Sequence, residues 1–72
     1  MLEKLEKIIE EYSGKQVTIA EDMDLRKDLG LNSLELIEIV VGVEDAFGIE
    51  ISDREVVELT TVGDVIALIE SK

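Results

Sequence analysis

The sequence predicts an all-α fold of four helices, the third of them short, with a long connection between the first and the second. Three observations predict it. Apolar residues recur at helical spacing in separate segments. The later segments open on capping side chains with an acid three positions on: Asn32 with Glu35, Ser52 with Glu55, Thr61 with Asp64. The chain has no Pro, and Gly14 and Gly48 stand where helices would stop.

The first helix is expected over residues 2–13, where Leu2, Leu5, Ile8, Ile9 and Tyr12 alternate with Glu and Lys. Residues 14–32 form a connection holding Val17, Ile19, Met23, Leu25, Leu29 and Leu31. A loop of this length in so small a protein is either functional or packed down by its own apolar residues. The second helix is expected over 33–47, the third over 53–59. The fourth is expected over 62–69, where Val62, Val65, Ile66 and Ile69 follow the i, i+3, i+4, i+7 pattern. Val40, Val41 and Val43 argue for a strand in the second segment, but the capping signal and the 3.6-residue period outweigh them.

Composition narrows the function. With 72 residues the chain is expected to be one domain spanning 1–72. The apolar share of 46% is too high for a disordered acidic tail. One Tyr and one Phe leave little for stacking on bases. There is no Cys and no His, hence no disulfide, no thiolate and no side chain titrating near neutral pH. Self-contained catalysis is not expected. The net charge of −11 opposes binding to nucleic acid or an anionic membrane and favours a basic protein partner. No apolar run has the length of a membrane span, and Met1-Leu2-Glu3-Lys4 lacks the layout of a signal peptide, so the cytoplasm is the expected location. The charge is uneven. Residues 1–27 carry five basic and seven acidic side chains, whereas residues 28–71 carry eleven acidic ones and only Arg54 as a base. The docking face is therefore expected in the second half.

The second helix carries the main signal. At about 100° per residue, Leu36, Ile39, Val40, Val43 and Phe47 share one arc, the expected core stripe, with Ile37 at its margin. Glu35, Glu38 and Asp45 form a stripe on the far side with Gly42 among them, and Leu34 and Val41 fall there too. Acids that steer a basic partner, with aliphatic side chains supplying contact area, make a recognition helix. Isolated exposed apolar residues are also ordinary, so the wheel alone leaves both readings open.

Ser33 stands at the start of this helix. It is either an ordinary first-turn residue behind the Asn32 cap or an exposed attachment point, since helix N–H groups and the dipole favour a phosphodiester there. Without a His to serve as base it is not a self-activated nucleophile, so another enzyme would have to modify it. Asp22, Asp24 and Asp28 resemble the start of a calcium loop, but the Gly and Glu that loop requires are missing. Weak, nonspecific binding of divalent ions is expected at Glu44, Asp45, Glu50 and Asp53. Glu35 and Glu38 read as surface charge rather than an acid–base pair.

Taken together, Asp28-Leu29-Gly30-Leu31-Asn32-Ser33-Leu34-Glu35-Leu36, Val43-Glu44-Asp45-Ala46-Phe47, Ile49-Glu50-Ile51 and Leu59-Thr60-Thr61-Val62 resemble the acyl carrier protein family over nearly the whole chain. The resemblance implies a four-helix bundle. It implies that Ser33 receives 4′-phosphopantetheine from coenzyme A through a phosphopantetheinyl transferase, and that the thiol of that group holds acyl intermediates as thioesters. This suits a chain without Cys, because the sulfur is supplied rather than encoded. The resemblance also implies a monomer that meets acyl-transferring and chain-elongating enzymes through basic docking surfaces. The matching contacts are the acids Glu38, Glu44 and Asp45, with Glu35 beside them and Leu34 and Val41 as apolar contacts. The Val- and Ile-rich core is a candidate shelter for the acyl chain.

Two positions depart from the family pattern. Asn32 replaces the usual Asp, which keeps the cap, loses a charge that transferases meet, and tilts the reading toward a specialised carrier. Ser52 stands where a Pro often opens the third helix, and it caps adequately. An acidic helical module that docks a basic partner without any cofactor is the alternative.

Overall fold

The computed structural model describes all 72 residues. Four helices follow in order: α1 (Leu2–Ser13), α2 (Ser33–Phe47), α3 (Asp53–Val57) and α4 (Val62–Ser71). The expected caps form. Asn32, Ser52 and Thr61 each accept the N–H of the third helical residue, and the acid at that position accepts the N–H of the capping residue in return. Gly14 and Gly48 close α1 and α2 at φ 74° and 65°, a conformation that costs Gly nothing.

Two boundaries differ from expectation. α3 stops at Val57 rather than at residue 59, because Glu58 and Leu59 turn tighter, donating to the carbonyls of Glu55 and Val56, so that Leu59 tucks against the core. α4 runs on to Ser71, past the last buried position Ile69, since nothing in Glu70 or Ser71 breaks a helix.

α1 and α2 lie antiparallel. Lys4 near the start of α1 places its ammonium 4.6 Å from the ring centroid of Phe47 at the end of α2. Ile8 and Tyr12 face Gly42 in the middle, and Lys15 just past α1 reaches Glu35 at the start of α2. Phe47, expected in the core stripe, is only half-buried.

The long connection is packed down by its own side chains. Ile19, Leu25, Leu29 and Leu31 join Leu5, Ile8 and Ile9 of α1, Leu36, Ile39 and Val43 of α2, and four residues of α4 in one core. Ile19 N–H donates to Glu6 Oε2 at 2.8 Å, and Leu25 N–H donates to the Thr60 carbonyl at 2.9 Å, pairing the loop with the entry to α4. α3 contributes no buried residue. It is held by Val56 against the core, by Lys72 on Glu55 at 3.1 Å and by Ile51 N–H donating to Glu44 Oε2 at 2.8 Å.

At three carboxylates the backbone N–H groups they accept favour the charged form and lower the pKa. The N–H groups of Lys27 and Arg26 hold Asp24 below the ordinary value of 3.8. Those of Thr61 and Thr60 do the same for Asp64. The Ser52 N–H, and after it Lys72, hold Glu55 below 4.5. A depressed folded value gives stability that is full above the unfolded value and lost as pH falls through the folded one. The melting-temperature gap between wild type and Asp64→Asn is therefore expected to be widest above about pH 5 and to close as the pH drops below about 4. Thermal melts across that range check it.

Candidate functional site

Leu29 and Leu31 are buried on either side of Gly30, so the end of the loop is pinned where it enters α2. Gly30 turns there at φ 69°. Asn32 Oδ1 accepts the Glu35 N–H at 2.8 Å, and Glu35 Oε1 accepts the Asn32 N–H at 3.2 Å. Ser33 follows as the first residue of the helix and is exposed.

The other three serines are occupied by the fold. Ser13 Oγ donates to the Ile9 carbonyl, Ser52 Oγ accepts the Glu55 N–H, and Ser71 Oγ donates to the Leu68 carbonyl at 2.8 Å. The hydroxyl of Ser33 has no such duty, because the cap belongs to Asn32. A free primary hydroxyl beside the first-turn N–H groups of a 15-residue helix fits a phosphodiester.

Down α2 the far-side stripe resolves into two parts. Gly42, expected on the wet face, is buried, because α1 crosses that flank with Ile8 and Tyr12. Glu35 lies on the same flank and is drawn into the cap and to Lys15. What remains is a strip roughly 60° wide holding Leu34, Val41 and Asp45, all exposed, with Glu38 half-buried among them. Leu34 is 65% exposed and Val41 44%. Glu44 lies off the strip and holds the Ile51 N–H, fixing the approach to α3.

Two apolar residues are more open than the sequence reading had them: Ile37, expected at the margin of the core stripe, and Val57, which it did not single out. Ile37 and Val57 are 52% and 80% exposed, and with Val40, Val41, Ile51 and Val56 they line an open groove of about 310 Å³ between α2 and α3, which Glu44 and Asp53 also line. The signal for Val57 was its position next to the inward Val56, since neighbouring helical residues cannot share a face.

A shelter for an acyl chain is not preformed. The enclosed, wholly apolar cavity between the helices measures about 20 Å³, little more than one water would need. Close packing leaves no more, and a chain would have to part the helices.

Asp24 and Asp28 are acceptors of backbone N–H groups: Arg26 and Lys27 donate to Asp24 Oδ1, and Asp24 N–H donates to Asp28 Oδ2. No three acidic side chains converge as a set of metal ligands. No helix is long and apolar enough to cross a membrane.

The family model described as "Phosphopantetheine attachment site" matches residues 3–69. The chain belongs to the acyl carrier protein family. Its relatives include an acyl carrier protein of Exiguobacterium sp. (strain ATCC BAA-1283 / AT1b), 41% identical over 73 aligned positions, which cover 100% of this chain and 92% of the relative. Among solved structures, a provisionally named acyl carrier protein from Mycobacterium tuberculosis superposes with a TM-score of 0.87 at 32% identity, covering 96% of this chain and 93% of that one. This carrier is thus a four-helix bundle and not a catalyst, and the cofactor of its family is 4′-phosphopantetheine.

Proposed function

We propose that Ser33 is the attachment point for 4′-phosphopantetheine, transferred from coenzyme A by a phosphopantetheinyl transferase. The loaded protein then works in the cytoplasm as a monomer, carrying acyl intermediates for fatty-acid or related specialised lipid or polyketide biosynthesis. The observation that carries this reading is the exposed hydroxyl of Ser33, which the fold leaves unused while it occupies every other serine. The group supplies a thiol that this chain lacks, and the thiol holds the acyl chain as a thioester. The first-turn N–H groups of α2 favour the phosphodiester charge. Asn32, where most of the family has Asp, supports a specialised pathway.

Incubation with coenzyme A and a broad-specificity transferase tests the assignment. One added group is expected by intact mass, mapped to the peptide containing Ser33. A chain that stays at its unmodified mass with every compatible transferase is left as an acidic docking module without a cofactor.

The same reading assigns the strip of Leu34, Glu38, Val41 and Asp45 to docking, with Glu35 and Glu44 adding charge beside it. Partner enzymes meet it with Arg and Lys. Glu38→Lys is expected to raise the KM of a partner enzyme about tenfold by setting like charges against each other. Val41→Glu is expected to act similarly through lost apolar contact. Circular dichroism is expected to be unchanged for both, since neither position is in the core. Equal KM values for wild type and Glu38→Lys across the partners tested would remove the strip from the docking assignment.

A further inference from the structure

Lys15 bonds to the chain on both sides of Ser33. Its ammonium donates to the Gly30 carbonyl at 2.9 Å and lies 3.5 Å from Glu35 Oε1. That same oxygen accepts the Asn32 N–H, so the lysine touches the capping box itself. Gly30 presents an open face to it, since a Cβ built there would stand 3.6 Å from the ammonium. Lys15 is itself placed firmly. It follows Gly14, which closes α1, and its N–H donates to Ser13 Oγ at 3.2 Å. The end of α1 is thereby fastened to the loop residue before the Asn32–Ser33 step and to the helix residue after it. A capping box does not need such a cation, as the one formed by Thr61 and Asp64 at α4 closes without one.

The geometry points to Lys15 as a positioning residue for the modification of Ser33. It clamps the junction of loop and helix in the conformation that presents the hydroxyl, so the transferase meets an ordered target. This role rests on Ser33 being the attachment point. The Lys15 side chain is 38% exposed, so the pair adds little to global stability, and its effect is local. Without it, the residues around Ser33 sample other conformations, and ordering them is charged to binding. That raises KM and leaves kcat alone. Simple electrostatics predicts the opposite sign. Removing a positive charge from a chain of net charge −11 strengthens its attraction to a basic transferase and lowers KM.

The test uses the full apo chain as wild type, Lys15→Met and Lys15→Arg. Loading kinetics are measured with coenzyme A and one transferase, and backbone amide exchange is measured on the same samples. Lys15→Met is expected to raise KM about fivefold at constant kcat and to speed exchange at the Asn32 and Glu35 amides. Lys15→Arg is expected to restore both, because the guanidinium reaches the same two acceptors. A KM at or below wild type for Lys15→Met, or unchanged exchange at those amides, overturns the clamp. Exchange reads the clamp whether or not loading occurs. A wild-type chain that no transferase loads overturns the Ser33 assignment, and this role of Lys15 with it.

Discussion

Ser33→Ala is expected to abolish cofactor loading while the fold stays as stable as the wild type. The reason is the division of labour at the start of α2. Asn32 makes the cap and Glu35 completes it, whereas Ser33 occupies the first helical position with an exposed side chain. Ala is the best helix former and removes no internal hydrogen bond here. The stability change is expected within about 0.5 kcal/mol, as for an ordinary surface substitution. Asn32→Ala is the converse. It removes the oxygen that accepts the Glu35 N–H and is expected to cost about 1 kcal/mol, or about 4–8 °C in melting temperature, while loading continues. Intact-mass analysis and thermal melts on the two variants separate attachment from capping. If Ser33→Ala still gains one group, the attachment point lies on another hydroxyl. If Ser33→Ala instead melts like Asn32→Ala, the hydroxyl is part of the cap.

The features that were legible in the sequence are the ones decided within one turn of helix. A capping side chain and an acid three residues later recognise each other without help from the rest of the molecule, and all three such pairs formed as expected. The apolar residues of the 14–32 connection could be read as packed down, because nothing else disposes of four large aliphatic side chains in so small a protein. Gly42 was misplaced for the opposite reason. Its face is decided by α1, some thirty residues away, and a helical wheel of α2 contains no information about which flank a neighbour covers. The same holds for Lys15, whose partners are fifteen and twenty residues distant. It holds too for Glu44, expected as a docking acid and a weak divalent-ion site, which serves the backbone of Ile51. Helix faces are local, but the contacts between elements that turn a face into a site are not.

Gly42→Val is expected to be the most damaging single substitution outside the aliphatic core. Propensity alone predicts a gain, because Gly in a helix interior is unfavourable by roughly 0.5–1 kcal/mol relative to Ala. Packing decides otherwise. A Cβ at Gly42 would stand 2.6 Å from Tyr12 Cε1 and 2.8 Å from Ile8 Cγ2, well inside the optimal carbon–carbon separation of about 3.5–4.0 Å. Tyr12 is half-buried near the end of α1 and its ring can turn aside. Ile8 cannot, being 5% exposed and stiff at χ1 through its β-branch. The two further methyls of Val therefore push α1 off α2. Overpacking of this kind costs typically 1–3 kcal/mol, and the upper end is expected here, against a total of roughly 4–11 kcal/mol for a chain of this length. The melting temperature should fall by more than about 10 °C. Ile8→Ala alone is expected to be destabilising by about 2–5 kcal/mol, yet in the Gly42→Val background it should recover part of the loss, because the Val methyls fill the space that the shortened side chain opens. A melting temperature at or above wild type for Gly42→Val would mean that α1 shifts freely, and the close approach would then have no energetic content. The helix spacing set at Gly42 also governs both ends of the pair, Lys4 over Phe47 at one and Lys15 between Gly30 and Glu35 at the other. Gly42→Val is therefore expected to loosen the amides around Ser33 from a position in the middle of α2, nine residues down the chain.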